Sequence, residues 1–179
     1  MCSSTVHQPS LTTQRLTLRP FSLDDALRMS QLAGNIRVAE TTLNVPHPYQ
    51  PDMAKLWIST HEAGWTERKN IVYAITLTET GELLGTIGLH DIKPDQAELG
   101  YWIGEPYWGR GFCTEAAKAV IAFSFEILEL SKVVAEHLKS NPASGAVMKN
   151  ASMCYVTSDI GVDRYGEPAE IDFYEIVST

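Results

Sequence analysis

Three strand-like runs follow one another in the middle of the chain, at positions 71–78, 83–90 and 97–103, and the first of them alternates apolar with smaller residues. Alternation with a period of two is typical of strands, and short Thr-Gly and Pro-Asp segments supply the turns between the runs. Strands joined by such short turns pair antiparallel, because a parallel crossover needs a dozen or more residues. The sequence therefore predicts an antiparallel meander at the centre of the fold.

Predicted helices and further strands flank this meander on both sides. Before it we predict a strand at 15–19, a helix that Ser22 caps and Gly34 closes, and a second helix from Pro51 to Gly64. After it we predict a helix at 114–130, a strand at 132–138, a helix at 143–151 and two strands within 154–177. The order β-α-α-β-β-β-α-β-α-β-β indicates a mixed sheet flanked by helices, neither a doubly wound fold nor an all-β barrel.

Length and composition predict one ordinary globular domain. The chain has 179 residues, of which 44% are hydrophobic and 20% charged, and no apolar run approaches the roughly 20 residues that a membrane span needs. Residues 1–12 lack the basic and apolar regions of a secretory signal, so we expect them to be flexible and residues 13–179 to form the domain. We therefore expect a cytoplasmic protein with no membrane partner.

Charge and cysteine content exclude further classes of ligand. The formal net charge of −8 argues against direct binding of nucleic acid, which needs many lysines and arginines. The three cysteines, Cys2, Cys113 and Cys154, are too few and too scattered for a disulfide framework or a metal site, and we predict no metal. Because the whole protein is acidic, an anionic ligand such as phosphate would need a local arrangement of backbone or side-chain donors.

The stretch EPYWGRGFCTEAAKAV, residues 105–120, offers such an arrangement. Gly109 and Gly111 allow successive backbone amides to turn toward one concavity, and the helix that begins near Thr114 directs its positive end there. This arrangement binds phosphate, although two glycines can also serve only a tight strand-to-helix connection. A nucleotide-binding P-loop fits less well, because Arg110 and Gly111 stand where the loop needs Lys and Ser or Thr.

The segment AELGYWIGEPYWGRGFCTEA, residues 97–116, resembles the strand, loop and helix of the GNAT acetyltransferase superfamily, in particular its ribosomal-protein N-terminal acetyltransferase branch. The superfamily pattern Arg/Gln-x-x-Gly-x-Gly/Ala falls on Trp108, Gly111 and Cys113. A second block, NPASGAVMKNASM at residues 141–153, is similar to the Asn-x-x-Ser-x-x-Val/Ile segment of that branch. The resemblance runs from about residue 13 to the C-terminus and implies the GNAT fold, an α/β (α+β) fold with a mixed, mostly antiparallel central sheet flanked by helices.

The resemblance also implies acetyl-CoA as the donor and a primary amine as the acceptor. The pantetheine arm would add to the strand at 99–103 where it splays from the strand at 133–138, and an amide of Trp102 or Ile103 would polarise the thioester carbonyl. Gly100 would let the backbone of this strand approach the thioester closely, and a β-bulge is the alternative explanation for this glycine. The implied cofactor-binding residues are Trp102, Ile103, Trp108, Gly109, Arg110, Gly111, Phe112, Cys113, Thr114 and Asn141.

Catalytic candidates lie next to these residues. Glu98 is the candidate general base, acting through a water. The alternative is that Glu98 is an ordinary solvent-facing residue of the strand with no catalytic role. The tyrosine that protonates the leaving thiolate in many superfamily members would align near Met148, so Ser144 is the candidate hydroxyl here. The alternative is that Ser144 lies in the first turn of a helix and only forms hydrogen bonds with the backbone there. Tyr101 and His90 are expected to face the acceptor, and a hydrogen-bonded or surface histidine is the alternative for His90.

The branch that the chain resembles implies the α-amine of a protein N-terminus as the acceptor. The reference pKa values agree with this, because an amine with a pKa of ~8 is about a tenth neutral at pH 7 and a lysine far less. A small-molecule amine, such as a polyamine, an aminosugar or an amino acid, is the alternative, as is a non-catalytic acyl-CoA-binding module. Departures from the branch at Asn150, Ser152 and Val156-Thr157 leave the acceptor open. Pairing of the exposed tail strands between two copies would make a homodimer.

Overall fold

A single mixed sheet organises the chain in the computed structural model, which describes residues 7–178. The strands are β1 (Leu11–Thr12), β2 (Leu16–Arg19), β3 (Ile71–Leu77), β4 (Leu83–His90), β5 (Gln96–Ile103), β6 (Lys132–Leu138), β7 (Cys154–Val162) and β8 (Pro168–Val177). Their order in the sheet is β1-β2-β3-β4-β5-β6-β8-β7, and only the β5–β6 pair is parallel. The predicted meander and mixed sheet are confirmed.

Helices cover both faces of the sheet. They are α1 (Ala26–Ala33), α2 (Ile36–Glu40), α3 (Pro51–Ser59), α4 (His61–Thr66), α5 (Phe112–Glu126) and α6 (Pro142–Asn150). Both β3 and β4 are buried along almost their whole length, which requires packing on each side of the pleat. The α5 helix contacts β2, β4, β5 and β6, so it spans the strands that form the middle of the sheet.

Most helix starts follow the signals in the sequence. The capping box of Ser22 and Asp25 is present and opens a 3-10 turn, Leu23–Asp25, that leads into α1. Pro51 occupies the first turn of α3. The Asn141 side chain accepts a hydrogen bond from the amide of Ser144, and so caps α6 as expected.

Several element boundaries differ from the sequence-based expectations. The helix predicted for 51–64 is two helices that meet at Thr60, and the predicted 114–130 helix is α5, which ends at Glu126 because the chain turns back with Glu129 at a φ of 57°. The short α2 helix was not expected. Residues 11–12, assigned to a flexible start, instead pair with β2, whereas residues 1–6 lie outside the described residues.

The sheet opens between β5 and β6. Their parallel register holds for three pairs only, the last of which joins Glu98 to Val134. Beyond that pair, β5 remains paired with β4 as far as Ile103, whereas β6 remains paired with β8 as far as Leu138. The two strands therefore diverge, as the resemblance implied, and leave the end of β5 with one free edge.

Neither disulfides nor transmembrane helices occur in the described part of the chain. Cys113 and Cys154 are free thiols, and Cys2 lies outside the described residues. Within residues 7–178, no helix has the length and apolar character to cross a bilayer, and no group of three His, Cys, Asp or Glu side chains is arranged around a metal position. The cytoplasmic location stays a prediction.

Candidate active site

Two cavities meet at the open edge of β5. The smaller has a volume of about 430 Å³ and lies against the turn before α5. The larger, of about 750 Å³, lies against β4, β5 and the segment between α2 and α3. Both are lined by Tyr101, Trp102 and Ser144, so a molecule in one cavity can reach a molecule in the other at these three residues.

The smaller cavity collects most of the residues expected to bind the cofactor. Its lining includes Trp102, Ile103, Trp108, Gly109, Gly111, Phe112, Cys113, Thr114 and Asn141. Arg110 does not line it, since its guanidinium lies over the Phe112 ring, 5.0 Å from the centroid. Burial raises the pKa of the Cys113 thiol to about 12, so this side chain serves as a neutral wall residue.

The glycine turn presents a row of free amides to this cavity. Gly109 and Gly111 have φ values of 71° and 78°, a left-handed conformation that other residues adopt only with strain. The first amide of α5 to close a helical turn is that of Glu115, which donates to Gly111 O at 3.1 Å. Between residues 7 and 178, no protein group accepts a hydrogen bond from the six amides of 109–114. The turn therefore has the free amides and left-handed glycines that the sequence predicted, and its binding of an anion stays a prediction.

Arg15 holds this turn from the side of β2, a contact that was not predicted from the sequence. Its Nη1 donates to Arg110 O at 3.0 Å and its Nε to Glu115 Oε2 at 2.7 Å. The Arg15 guanidinium also lies 4.5 Å from the centroid of the Phe112 ring. Since Arg15 belongs to the predicted first strand, no local pattern connects it with a helix 100 residues later.

The hydrogen-bond alternation of β5 decides which of its amides face the opening. Gly104 N donates to Leu84 O at 2.8 Å, and Lys132 N donates to Asp95 O at 3.0 Å. In an antiparallel ladder alternate residues bond to alternate sides, so even-numbered residues of β5 face β4 and odd-numbered ones face β6. The Ile103 amide therefore faces the gap, whereas the Trp102 amide faces β4. The β4–β5 register is unbroken at Gly100, so the bulge considered there is wrong.

Tyr101 and Ser144 connect β5 to α6 where the two cavities meet. The Tyr101 hydroxyl donates to Ser144 O at 2.9 Å and lies 3.1 Å from Ser144 Oγ. Burial raises the pKa of Tyr101, so this hydroxyl keeps its proton. The amide of Ser144 bonds the Asn141 cap, so Ser144 combines the structural role with a place in the cavity wall. Met148, which also lines the larger cavity, carries no hydroxyl.

Glu98 and His90 line the larger cavity from adjacent strands. They are direct cross-strand partners, so both side chains lie on one face of the sheet. Glu98 reaches solvent through the cavity, yet partial burial and the nearby carboxylates of Glu136 and Asp91 raise its pKa. Burial lowers the pKa of His90. Glu98 is therefore a stronger base than an ordinary glutamate, and His90 is neutral at pH 7.

The remaining wall of the larger cavity was not foreseen from the sequence. It comes from the segment between α2 and α3 and from α3 itself, and includes Leu43, Tyr49, Met53, Leu56 and Trp57. Glu136 on β6 also lines the cavity. Because the loop has no repeating pattern, its approach to β5 depends on tertiary packing alone.

Comparisons with known proteins agree with this architecture. The family described as Acetyltransferase (GNAT) domain matches residues 15–153. The chain is 32% identical over 142 residues to the uncharacterized N-acetyltransferase YoaA of Bacillus subtilis strain 168, which covers 78% of this chain and 80% of YoaA. It is 35% identical over 68 residues to the ribosomal-protein-serine acetyltransferase of Escherichia coli K12, which covers 37% of this chain and 38% of that protein.

A solved structure gives the same result for the whole fold. The acetyltransferase from Agrobacterium tumefaciens strain C58 superposes with a TM-score of 0.75 at 29% identity and covers 96% of each chain. Together with this fold, the family match and the N-acetyltransferase relative define a coenzyme-A-dependent acyltransferase. The chain belongs to the GNAT acetyltransferase family and is an acetyl-CoA-dependent N-acetyltransferase.

Proposed function

We propose that the smaller cavity binds the diphosphate and pantetheine arm of acetyl-CoA. The six free amides of 109–114 carry this proposal, since such a row at a helix N-terminus attracts an anion through both its N–H groups and the helix dipole. Arg15 supports it, because its guanidinium donates to Arg110 O and so holds the glycine turn in this conformation. The pantetheine would run along the free edge of β5 toward Ile103.

We infer that the acceptor amine enters through the larger cavity and that the acceptor is the α-amine of a protein N-terminus. The cavity opens to solvent and has a volume of about 750 Å³, enough for the first residues of a peptide. The relationship to the E. coli ribosomal-protein-serine acetyltransferase supports a protein acceptor. A small-molecule amine is the second candidate, because a cavity of this volume also suits a free small molecule.

The proposed transfer uses groups on both sides of the cavity junction. The neutral amine nitrogen attacks the thioester carbonyl carbon, the new C–N bond forms and the C–S bond breaks with its electron pair on sulfur. The amide of Ile103 donates to the carbonyl oxygen as negative charge develops there. Glu98 receives the amine proton through a water and releases it to solvent. The Ser144 hydroxyl gives its proton to the thiolate and takes one from a solvent water, so that the net reaction moves one proton from nitrogen to sulfur.

The homodimer expected from the tail strands stays a proposal. The β7 strand lies at the edge of the sheet and is exposed along almost its whole length, including the large side chains Tyr155, Ile160 and Val162. Such an edge is suited to pairing with a second copy. Sedimentation equilibrium tests this idea, with a monomer at micromolar concentration as the contradicting result.

Thermal unfolding with acetyl-CoA, followed by a thiol-release assay over several amine classes, tests the proposed function. A ligand present at about 100 times its Kd adds about 2.7 kcal/mol to the free energy of unfolding, so a clear rise in Tm is expected. Thiol release should depend on an added primary amine. Absence of both the Tm rise and amine-dependent thiol release would contradict the proposal.

A further inference from the structure

We propose that the acceptor amine is bonded to a carbon that carries a large apolar group and no free carboxylate, as at the N-terminus of a peptide that begins with a large apolar residue. This inference rests on the proposed function and specifies its substrate class. Three features of the larger cavity carry it: the sign of its charges, the exposure of its apolar wall and the location of its carboxylates.

The charges of the cavity favour an ammonium group and disfavour an acid. Its lining contains two carboxylates, Glu98 and Glu136, which come from the adjacent strands β5 and β6. Among the described residues that line this cavity, none is a lysine or an arginine. A carboxylate on the substrate would therefore meet two like charges and no cation, whereas a peptide bond or a primary amide in that position is neutral.

The wall formed by residues 43–57 presents large apolar side chains to an open cavity. Leu43, Met53 and Leu56 are 36%, 37% and 72% exposed, and all three line the cavity. Apolar side chains at the wall of a ligand cavity gain free energy when a bound apolar group removes them from water. The wall therefore fits a substrate whose amine is attached to a bulky hydrophobic body.

The separation of charge and apolar surface argues against a polycation. None of the cavity-lining residues between positions 42 and 60 is charged, so the carboxylates stand only on the strand side. A polyamine could pair two ammonium groups with Glu98 and Glu136, but it has no bulky apolar body to cover the wall, and any ammonium group placed against Leu56 and Trp57 would lack an ion pair. A single cation with an apolar substituent places its charge on the strand side and no charged group against the apolar wall.

Steady-state kinetics on matched amines test the inference. We expect kcat/KM, expressed per neutral amine, to be at least about tenfold higher for phenylalaninamide than for glycinamide, phenylalanine or spermidine. A peptide that begins with phenylalanine should also exceed one that begins with serine. The ratio of that peptide to phenylalaninamide distinguishes a protein acceptor from a small one, and both share the proposed chemistry.

Two variants connect the preferences to the cavity. Glu136→Gln should raise the rate on phenylalanine relative to phenylalaninamide by about threefold or more, and Leu56→Asn should lower the ratio of phenylalaninamide to glycinamide by a similar factor. Glu126→Gln and Ile127→Asn make the same chemical changes at exposed positions that line neither cavity, and should leave both ratios unchanged.

The outcomes separate this inference from the proposed function. Equal rates on all amines, or faster transfer to phenylalanine or spermidine, would overturn the substrate class while leaving acetyl transfer intact. Unchanged ratios in both cavity variants would also overturn it. Absence of thiol release with every amine, together with no Tm rise on addition of acetyl-CoA, would instead reject the proposed function itself.

Discussion

Arg15 and Glu115 stand 100 residues apart in the chain and form an ion pair of 2.7 Å at the start of α5. Glu115 Oε1 also accepts hydrogen bonds from Thr13 Oγ1 at 2.6 Å and from the Arg15 amide at 2.8 Å. One carboxylate thus ties the β1–β2 connection to the first turn of α5. The Arg15 guanidinium then reaches Arg110 O, so the same cluster fixes the glycine turn.

Replacing Glu115 with glutamine should weaken acetyl-CoA binding and folding together. Loss of the charge removes the ion pair and part of the hydrogen-bond cluster, for which we expect a loss of about 1 to 2 kcal/mol in the free energy of unfolding. A looser turn should raise the Kd for CoA by about tenfold. Calorimetric titration and urea unfolding measure both effects, with Glu126→Gln as the matched control. An unchanged Kd in Glu115→Gln would separate the cluster from the cofactor site.

The same carboxylate predicts a pH dependence of stability. Burial raises the pKa of Glu115, but hydrogen bonds from Thr13 and Arg15 and the Arg15 charge outweigh this effect, so the net shift is below the ordinary value of 4.5. A lowered folded-state pKa contributes stability above the unfolded pKa, and that stability is lost as the pH falls through the folded value. The difference in unfolding free energy between the wild type and Glu115→Gln should therefore be constant above about pH 5.5 and shrink below about pH 4. A difference that does not change between pH 6 and pH 3 would contradict this assignment.

Gly111→Ala should lower both stability and cofactor affinity, and Gly81→Ala only stability. The two glycines have similar φ values of 78° and 72°, so alanine costs about 1 to 2 kcal/mol at either position. Only Gly111 lies in the cavity wall, where the new methyl group would stand 3.5 Å from Arg15 Nη2. Equal CoA affinity in the two variants would remove the turn from the binding site. Gly111→Glu, which adds a negative charge, should abolish binding.

Glu98→Gln should preserve CoA binding and lower turnover. Because the pKa of Glu98 is raised, the acidic limb of the pH profile of kcat/KM, expressed per neutral amine, should lie above the ordinary value of 4.5, with activity lost as the pH falls and the carboxylate gains a proton. The variant should be slower by about a hundredfold and should lack this limb. Normal turnover or an unchanged limb would leave Glu98 as a plain surface glutamate.

Ser144→Ala and Tyr101→Phe should separate proton donation from packing. Loss of the serine hydroxyl should lower kcat by about tenfold or more with little change in Kd for CoA. Tyr101→Phe removes the hydrogen bonds to Ser144 but keeps the ring in both cavity walls. We expect an intermediate kcat for it, and full activity in both variants would show that the leaving thiolate takes its proton elsewhere.

The parts of the fold that local patterns determine were predictable. The strands of the meander, the cap at Asn141 and the glycine turn all follow from short-range backbone preferences and periodicity. The break at Thr60 and the early end of α5 were not predictable, because tertiary packing decides where a helix with sufficient propensity stops. The two-residue β1 is too short to leave a pattern.

The same distinction between local sequence patterns and tertiary packing applies to the residues of the candidate site. The glycine turn and its free amides were predictable, because such a run of amides needs glycine at fixed spacing. Arg15 and Glu115 were missed because each acts through a partner that only the folded chain brings near. Glu136 was missed because only the folded sheet places it in the wall of the larger cavity. The choice between the Trp102 and Ile103 amides required the register of β5 with both of its neighbours, which the sequence leaves open.

The most direct measurement is a titration of the isotopically labelled protein with CoA, followed by the backbone amide resonances of residues 109–114. If these six amides hold the diphosphate, their proton signals should shift downfield together and saturate at one Kd, and pantetheine, which lacks the diphosphate, should leave them in place. Saturating CoA that moves signals elsewhere but none in this turn would contradict the account.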